Sequence, residues 1–476
     1  MPADRRDVGN VPIDMLPEEL LLEIFDFYMR GVDYKEEWET LVHVCRRWRS
    51  VVFSAPLRLD LRLVCTGGTL VKKMLGIWPA LPILIWMYWL DDEIEDEVLA
   101  ALEHKDRICE IYVQGASDHG LKLLAEATQD LFPALTDLRI ESFHGVSVVP
   151  DSLLRGSAPH LRCLHLMGVE FPALPKLILS TTGLVELSLC DFTDYQNDAP
   201  WMMVDCLPSL TGLEKLQLDY RYFPHSPDQA SGRPPPLTCI VLPVLTAISF
   251  KGRSECLDHF FSRIDAPLLK HVDIMFLYPA VAFEFSKISQ FIGRKESFEA
   301  FDQAHMWWND LSVNLTLSSR KGATGGMWLK LSMRCINRVW RLQSLTQVHH
   351  PFANPLVTNG HFDGSTPSDG QIPYWATQTG NAQWLEFVRL FAAVESLYLS
   401  EIVAWLVAPL LRELSSGESV ATARDVLPAL HTIFIERLDN PECARVREAI
   451  GKFATKRELS DRPVAVHLWE EEEYYD

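Results

Sequence analysis

Ten times along this chain a unit of the form L-x-x-L-x-L returns, and a chain built from such repeats cannot fold as an ordinary isolated domain. The units begin at Leu81, Ile108, Leu135, Leu161, Leu184, Leu213, Leu245, Leu269, Val394 and Leu430. The gaps between them are 27, 27, 26, 23, 29, 32, 24, 125 and 36 residues. In six units a proline stands two residues ahead: Pro79, Pro133, Pro159, Pro243, Pro267 and Pro428. The alternation in the last three positions is that of a strand with one buried face. One unit cannot bury its apolar side alone, so neighbours must stack and share a core.

The spacing resembles that of leucine-rich repeats, whose period is about 20 to 29 residues. The resemblance implies an α/β fold, an irregular leucine-rich-repeat solenoid with an inner parallel sheet. Many such repeats carry Asn or Cys three residues after the last strand leucine. Here those positions hold Phe143, Val169, Phe192, Arg221, Arg253 and Leu277, so no asparagine ladder closes the turns. In each unit the final two leucine-type positions should point inward, and the residue between them and the one after should face the concave side. That selects Tyr112 and Gln114, Arg139 and Glu141, His165 and Met167, Gln217 and Asp219, Asp273 and Met275, Tyr398 and Ser400, and Phe434 and Glu436. The mixture of aromatics, methionine and carboxylates suits a protein-binding face, and these are the expected target-binding residues.

The long gap holds two further strand patterns, Val313–Leu317 and Trp328–Met333, and helical spacing over Phe283–Ile292 and Glu296–Trp307. Two insertions, near 221–240 and over His349–Gly380, are rich in turn residues and should resist regular structure. Either could compete as the binding site.

Ahead of the repeats, residues 10–60 read as two amphipathic helices. The first begins at Leu16-Pro17-Glu18-Glu19-Leu20, carries Leu20, Ile24, Phe27 and Tyr28 at helical spacing, and stops at Gly31. Leu21 and Phe25 widen its stripe. The second runs from about Glu36 to Phe53, with Trp38, Leu41, Cys45, Trp48 and Val52 on one face. A segment of this length is too small to bury much core by itself. Its apolar surface must meet the rest of the chain or another protein.

Leu16-Pro17-x-Glu19-Leu20-x-x-x-Ile24-Phe25, followed by Val44-Cys45-x-x-Trp48-Arg49-x-x-Val52, resembles the F-box. The resemblance implies a trihelical motif that packs on a Skp1-type adaptor, and through it a cullin. Carried over by position, the adaptor-binding residues are Leu16, Pro17, Leu20, Ile24, Phe25, Val44, Cys45 and Trp48. The link from Gly31 to Glu39 is longer than in the commonest F-boxes. A helical hairpin capping the repeats would also explain the amphipathic faces, but not the Leu-Pro start together with the Val-Cys-x-x-Trp-Arg spacing.

The last third carries Trp384-Leu385-Glu386, Leu397-Tyr398-Leu399-Ser400-Glu401, Ala408-Pro409-Leu410 and Leu427-Pro428-x-Leu430. Together these resemble a large set of fungal F-box-like proteins of similar length. The family implies a substrate-receptor subunit of a ubiquitin ligase, which catalyses nothing itself. The alternative is a protein-interaction scaffold outside any ligase. The expected organisation is 10–60 for the motif, 61–460 for the repeats and 461–476 for a terminal strand and acidic tail.

Composition narrows the partners. The net charge is 44 − 64 = −20, a surface that repels phosphate backbones, so no nucleic acid is expected. Solubility explains that charge, as does attraction to a basic partner. Ten cysteines lie scattered without a CxxC pair, the pattern of free thiols in cytoplasm or nucleus. Met1–Asn10 is too polar for a secretion signal. Met74–Leu90 is 17 residues without a charge, short for a membrane span and broken by Pro79 and Pro82, so it reads as a buried strand with its turn. No hydrolase elbow, phosphate loop or zinc-protease motif occurs. Cys163-x-His165 and Cys256-x-x-His259 are isolated pairs, so no metal or cofactor is expected.

Overall fold

The computed structural model describes residues 13–31, 38–88 except 67 and 69, 96–191 except 144–146, 157 and 182, 206–220, 239–277 except 253–256 and 258–259, 291, 301–319 except 309–311, 326–334, 357–364, 385, 388–416, 426–436 and 444–469. The chain divides into two compact units, Met1–Leu184 and Val185–Asp476. Each is mixed α/β with a mostly parallel sheet.

The first unit opens with three helices, α1 (Glu18–Arg30), α2 (Trp38–Val44) and α3 (Arg46–Ser54). Pro17 and two glutamates start α1, and the Gly31 N–H closes it on the Tyr28 carbonyl at 3.1 Å. The single helix expected over Glu36–Phe53 is instead two. Cys45 is extended, and its Sγ accepts the Trp48 N–H at 3.4 Å. A side chain that takes an otherwise unpaired N–H caps a new helix, which is why the apolar spacing continues across the break. The three helices bury Leu21, Phe25, Trp38, Leu41, Val42, Val51 and Val52 together with Leu59, Leu61 and Leu81.

Strands β1 (Leu63–Cys65), β2 (Ile83–Tyr88), β3 (Ile108–Gln114), β4 (Asp137–Glu141) and β5 (Cys163–Met167) then pair in sequence, all parallel. Helices α4 (Val71–Ile77), α5 (Asp96–Leu102), α6 (Asp118–Ala127) and α7 (Leu174–Ser180) occupy the returns. Met74–Leu90 thus holds the end of a helix as well as a strand, and among the described residues no helix is long and apolar enough to cross a membrane.

The recurrent prolines have a local cause. In Phe132-Pro133-Ala134-Leu135 and Ala158-Pro159-His160-Leu161 the leucine N–H donates to the carbonyl three residues back, at 3.2 and 3.1 Å. In the second unit Leu245, Leu269 and Leu430 repeat the bond, at 3.4, 3.3 and 3.0 Å. Proline pre-sets the second position of such a turn, and the leucine beneath is drawn into the core.

In the second unit β6 (Glu186–Cys190), β7 (Lys215–Asp219), β8 (Ala247–Gly252) and β9 (His271–Leu277) again pair in sequence and in parallel. The order then reverses. Strands β10 (Gln303–Trp308), β11 (Ser312–Ser318) and β12 (Trp328–Arg334) form an antiparallel meander, and it is β12 that pairs with β9. β10 pairs in parallel with β13 (Asn359–Gly364), followed by β14 (Ser396–Leu399), β15 (Thr432–Glu436) and β16 (Ala465–Trp469). Helices α8 (Glu401–Ser416) and α9 (Ala444–Glu458) fill the last two returns.

All ten L-x-x-L-x-L units are strands. Three further expectations fail. The helix read over Glu296–Trp307 is contradicted by β10, where Ala304 and Met306 are buried and alternate with His305 and Trp307. A short apolar run does not fix its own period, and two flanking strands decided it. The irregular stretch His349–Gly380 contains β13, whose backbone is paired on both sides despite two glycines, since sheet context outweighs local preference. In the Leu81 unit the frame slips by one. Along β2 Ile83, Ile85 and Met87 point inward and Trp86 and Tyr88 outward, and the pairing with β3 shifts by one residue after Ile83. The helix expected over Phe283–Ile292 lies outside the described residues except for Phe291, and so do the insertion at 221–238 and the acidic tail.

One half-buried imidazole makes a testable statement about stability. His271 on β9 lies against the Trp328 ring at 5.3 Å, and its Nδ1 is buried without a hydrogen bond. Burial, helped by the neighbouring Lys270 charge, lowers its pKa. The unfolded chain therefore binds this proton more readily than the folded one, and stability falls as the pH drops through the ordinary imidazole value of about 6.5. Below the folded value the loss stops growing. The urea midpoint should drop between pH 7.5 and 5.5, and His271→Gln should shrink that drop. An unchanged drop would remove His271 from the account.

Candidate functional site

Helix α1 has two apolar faces, about 100° apart. Leu21 and Phe25 point into the helical core and are fully enclosed, with Phe25 against Trp48 at 4.8 Å between ring centres. Leu20, Ile24 and Phe27, spaced four and three residues apart, form the other face, and they are 50, 45 and 82% exposed. Ile13, Met15 and Val44 are exposed as well. The Arg47 guanidinium donates to the Leu16 carbonyl, which ties the start of α3 to the segment leading into α1. Three neighbouring apolar positions on one helix face, left in water by a folded core beneath them, form an exposed apolar patch of the kind that marks interaction sites.

The eight adaptor-binding candidates therefore divide. Leu20, Ile24, Pro17 and Val44 are exposed, whereas Leu16, Cys45 and Trp48 are half-buried and Phe25 is sealed. Phe25 and Trp48 support the surface from beneath. Phe27, the most exposed of the stripe, joins them three residues after Ile24 although it is not among the eight.

The second candidate surface is the outward face of the sheet. In the first unit Trp86, Tyr112, Arg139 and His165 stand in register across four strands, and Tyr88, Gln114, Glu141 and Met167 form the next row. Trp86 lies 5.6 Å from Tyr112. Glu141 stands 3.6 Å from the His165 imidazole. Burial, then the charge of Glu141, raises the Tyr112 phenol above its ordinary pKa. Trp86 and Tyr88 escaped the sequence reading because of the slipped frame.

In the second unit the same alternation gives a different result. Asp219 is buried and paired with Lys251 at 2.7 Å, and Ser400 is buried too, so neither faces a partner directly. The amide of the exposed Gln217 donates to the Cys190 sulfur at 3.2 Å. Asp273 stands 3.7 Å from Lys330, with burial raising its carboxyl pKa despite that cation, and Met275 beside it is half-buried. Glu436 accepts the first N–H of α8 at 2.8 Å and so serves as a cap. Across the last five of these strands runs a row of rings. His305 meets His361 at 6.3 Å, His361 stacks on Tyr398 at 4.0 Å, Tyr398 on Phe434 at 4.4 Å, and Phe434 on His467 at 5.5 Å. Sequence spacing finds Tyr398 and Phe434; His305 and His361 lie on β10 and β13, which carry no L-x-x-L-x-L unit, and His467 lies on the expected terminal strand, whose facing the repeat pattern does not set.

Among the described residues no three His, Cys, Asp or Glu side chains gather to hold a metal. No protein-family model matches the chain, and no curated protein matches it at a significant level.

Proposed function

We propose that this chain is the substrate-receptor subunit of a ubiquitin ligase of the Skp1–cullin–F-box type. In this reading the three N-terminal helices are an F-box-like motif that binds a Skp1-type adaptor, and the remainder is an irregular leucine-rich-repeat solenoid that holds the target protein. The observation that carries it is the exposed stripe Leu20, Ile24 and Phe27 on a helix whose other face is already saturated. An amphipathic helix normally spends its apolar side on its own core. A second apolar side needs a second partner. The chain supplies no chemistry of its own and contributes by holding a target near the transfer site. Cytoplasm or nucleus is the compartment that fits.

Purification of the tagged full-length chain with the proteasome inhibited tests this. A Skp1-type adaptor and a cullin should both co-purify. Adaptor without cullin would move the protein to the scaffold reading, and neither partner would defeat the proposal.

A further inference from the structure

The sheet of the second unit ends on β16, and among the described residues no strand lies beyond it. Side-chain rows on both faces run out at that edge. On the inner face Leu397, Ile433 and Val466 stand in register, and so do Leu399, Ile435 and Leu468. The first two members of each row are buried, whereas Val466 and Leu468 are 41 and 65% exposed. On the outer face the stacked rings of Tyr398 and Phe434 end on His467, which is exposed. The backbone is open as well. The Ala465 N–H donates to the His431 carbonyl at 2.8 Å, so the polar groups of residues 465, 467 and 469 turn toward β15. Those of Val466 and Leu468 alternate with them and turn to the free side. Charge is one-sided at the far end of this edge. Glu436 stands in register with Trp469, and Glu470–Glu473 follow directly in the sequence. Across Glu436–Asp439 and Trp469–Glu473 there are six carboxylates and one cation, Arg437. The backbone N–H that Glu436 accepts is neutral and offsets none of that charge. At the near end Asp461 and Arg462 adjoin and balance.

We infer that β16 takes an added strand from another protein, an extended segment with apolar side chains at alternate positions and Lys or Arg at the end nearest Trp469. An open edge offers its unpaired N–H and C=O groups to a further strand, and pockets for alternate side chains set which strand it accepts. Apolar side chains on the inner face of the added strand cover Val466 and Leu468, as those two would cover a neighbour within the sheet. A ring or guanidinium opposite His467 lengthens the outer row by one member. The carboxylates around Trp469 select a cation on that flank. A second copy of this chain fits less well, because it brings four more glutamates to the same edge.

The test uses a phage-displayed library of random 12-residue peptides selected on the full-length protein. Enriched peptides should alternate apolar residues over four or five positions and carry Lys or Arg on one flank. A selected peptide is then resynthesised with N-methyl groups on every second amide, in both phases. One phase, which blocks the amides facing β16, should abolish binding, and the other should leave it unchanged. Glu471→Lys with Glu472→Lys should weaken the peptide about tenfold or more. Acidic peptides, no enrichment, or equal loss from both methylated forms would each overturn the inference. Sedimentation of the protein alone checks the other occupant. The Leu468 N–H is on the free side, so Leu468→Pro takes no bond from the folded chain. A wild-type dimer that this variant dissolves would put a second copy on the edge and overturn the inference as well. Peptide binding does not depend on adaptor capture, and either can fail without the other.

Discussion

Leu20→Asp combined with Ile24→Asp should abolish adaptor capture while the chain stays folded. Both side chains lie on the outer stripe of α1 and touch little of the helical core. Placing aspartate inside a helix costs well under 1 kcal/mol per site. At a desolvated interface, losing an apolar anchor costs about 2 kcal/mol or more, and a buried unpaired charge adds to that. Two such sites together predict a loss on the order of a thousandfold. The check is a pull-down with purified Skp1-type adaptor, read beside the circular dichroism and melting curve of the same protein. Undiminished capture by a folded double variant would mean that α1 does not face the adaptor. Trp48→Ala is a poorer probe of the same idea, because its ring supports Phe25 and the fold would suffer with the binding.

Trp38→Ala should be the most damaging single change in the helical motif. Trp38 is fully buried, with Phe53 and Trp78 rings at 5.8 and 5.6 Å, and its indole N–H donates to the Arg62 carbonyl at 2.8 Å. That bond joins α2 to the chain just before β1. Removing the ring leaves a cavity, loses contact with two aromatic neighbours and strands a carbonyl. The expected cost is about 3–5 kcal/mol, enough to unfold a marginal protein. Trp38→Phe keeps most of the volume and loses only the hydrogen bond, so it should cost about 1–3 kcal/mol. Urea denaturation of the three proteins measures both. Equal stability of Trp38→Ala and wild type would show that the helices and the first strands do not depend on one another.

The sequence was most readable where burial repeats. Leu138, Ile140, Leu164 and Leu166 recur with the same spacing and the same turn, and local chemistry alone places them inside. It was least readable where partners far along the chain decide. β10 becomes a strand because β11 and β13 flank it, and β13 because β10 and β14 do. Nothing within either segment announces those neighbours. The break at Cys45 stayed hidden for a different reason, since the apolar spacing runs through it and a thiol is not an expected cap. For the candidate surfaces, helical spacing groups Leu20 and Ile24 on one face of α1, and both are exposed there. It could not tell that Phe25, the neighbour of Ile24, turns inward to a saturated core. At β2 a frame one residue out of step with the other units was enough to hide Trp86 and Tyr88.

The reversed meander has a consequence for how the second unit comes into being. A sheet whose strands pair in chain order can close from one end as it is made. Here β9 is synthesised before its partner β12, and residues 278–327 must follow before that partner exists. At about 5–20 residues per second, the far edge of β9 stays open for several seconds. The hairpin of β10 and β11 forms in about 1–10 μs once both are available. It therefore has ample time to form before β12 arrives. The nascent chain must assemble its middle as a separate piece, and only then can the strands on either side of that piece be joined.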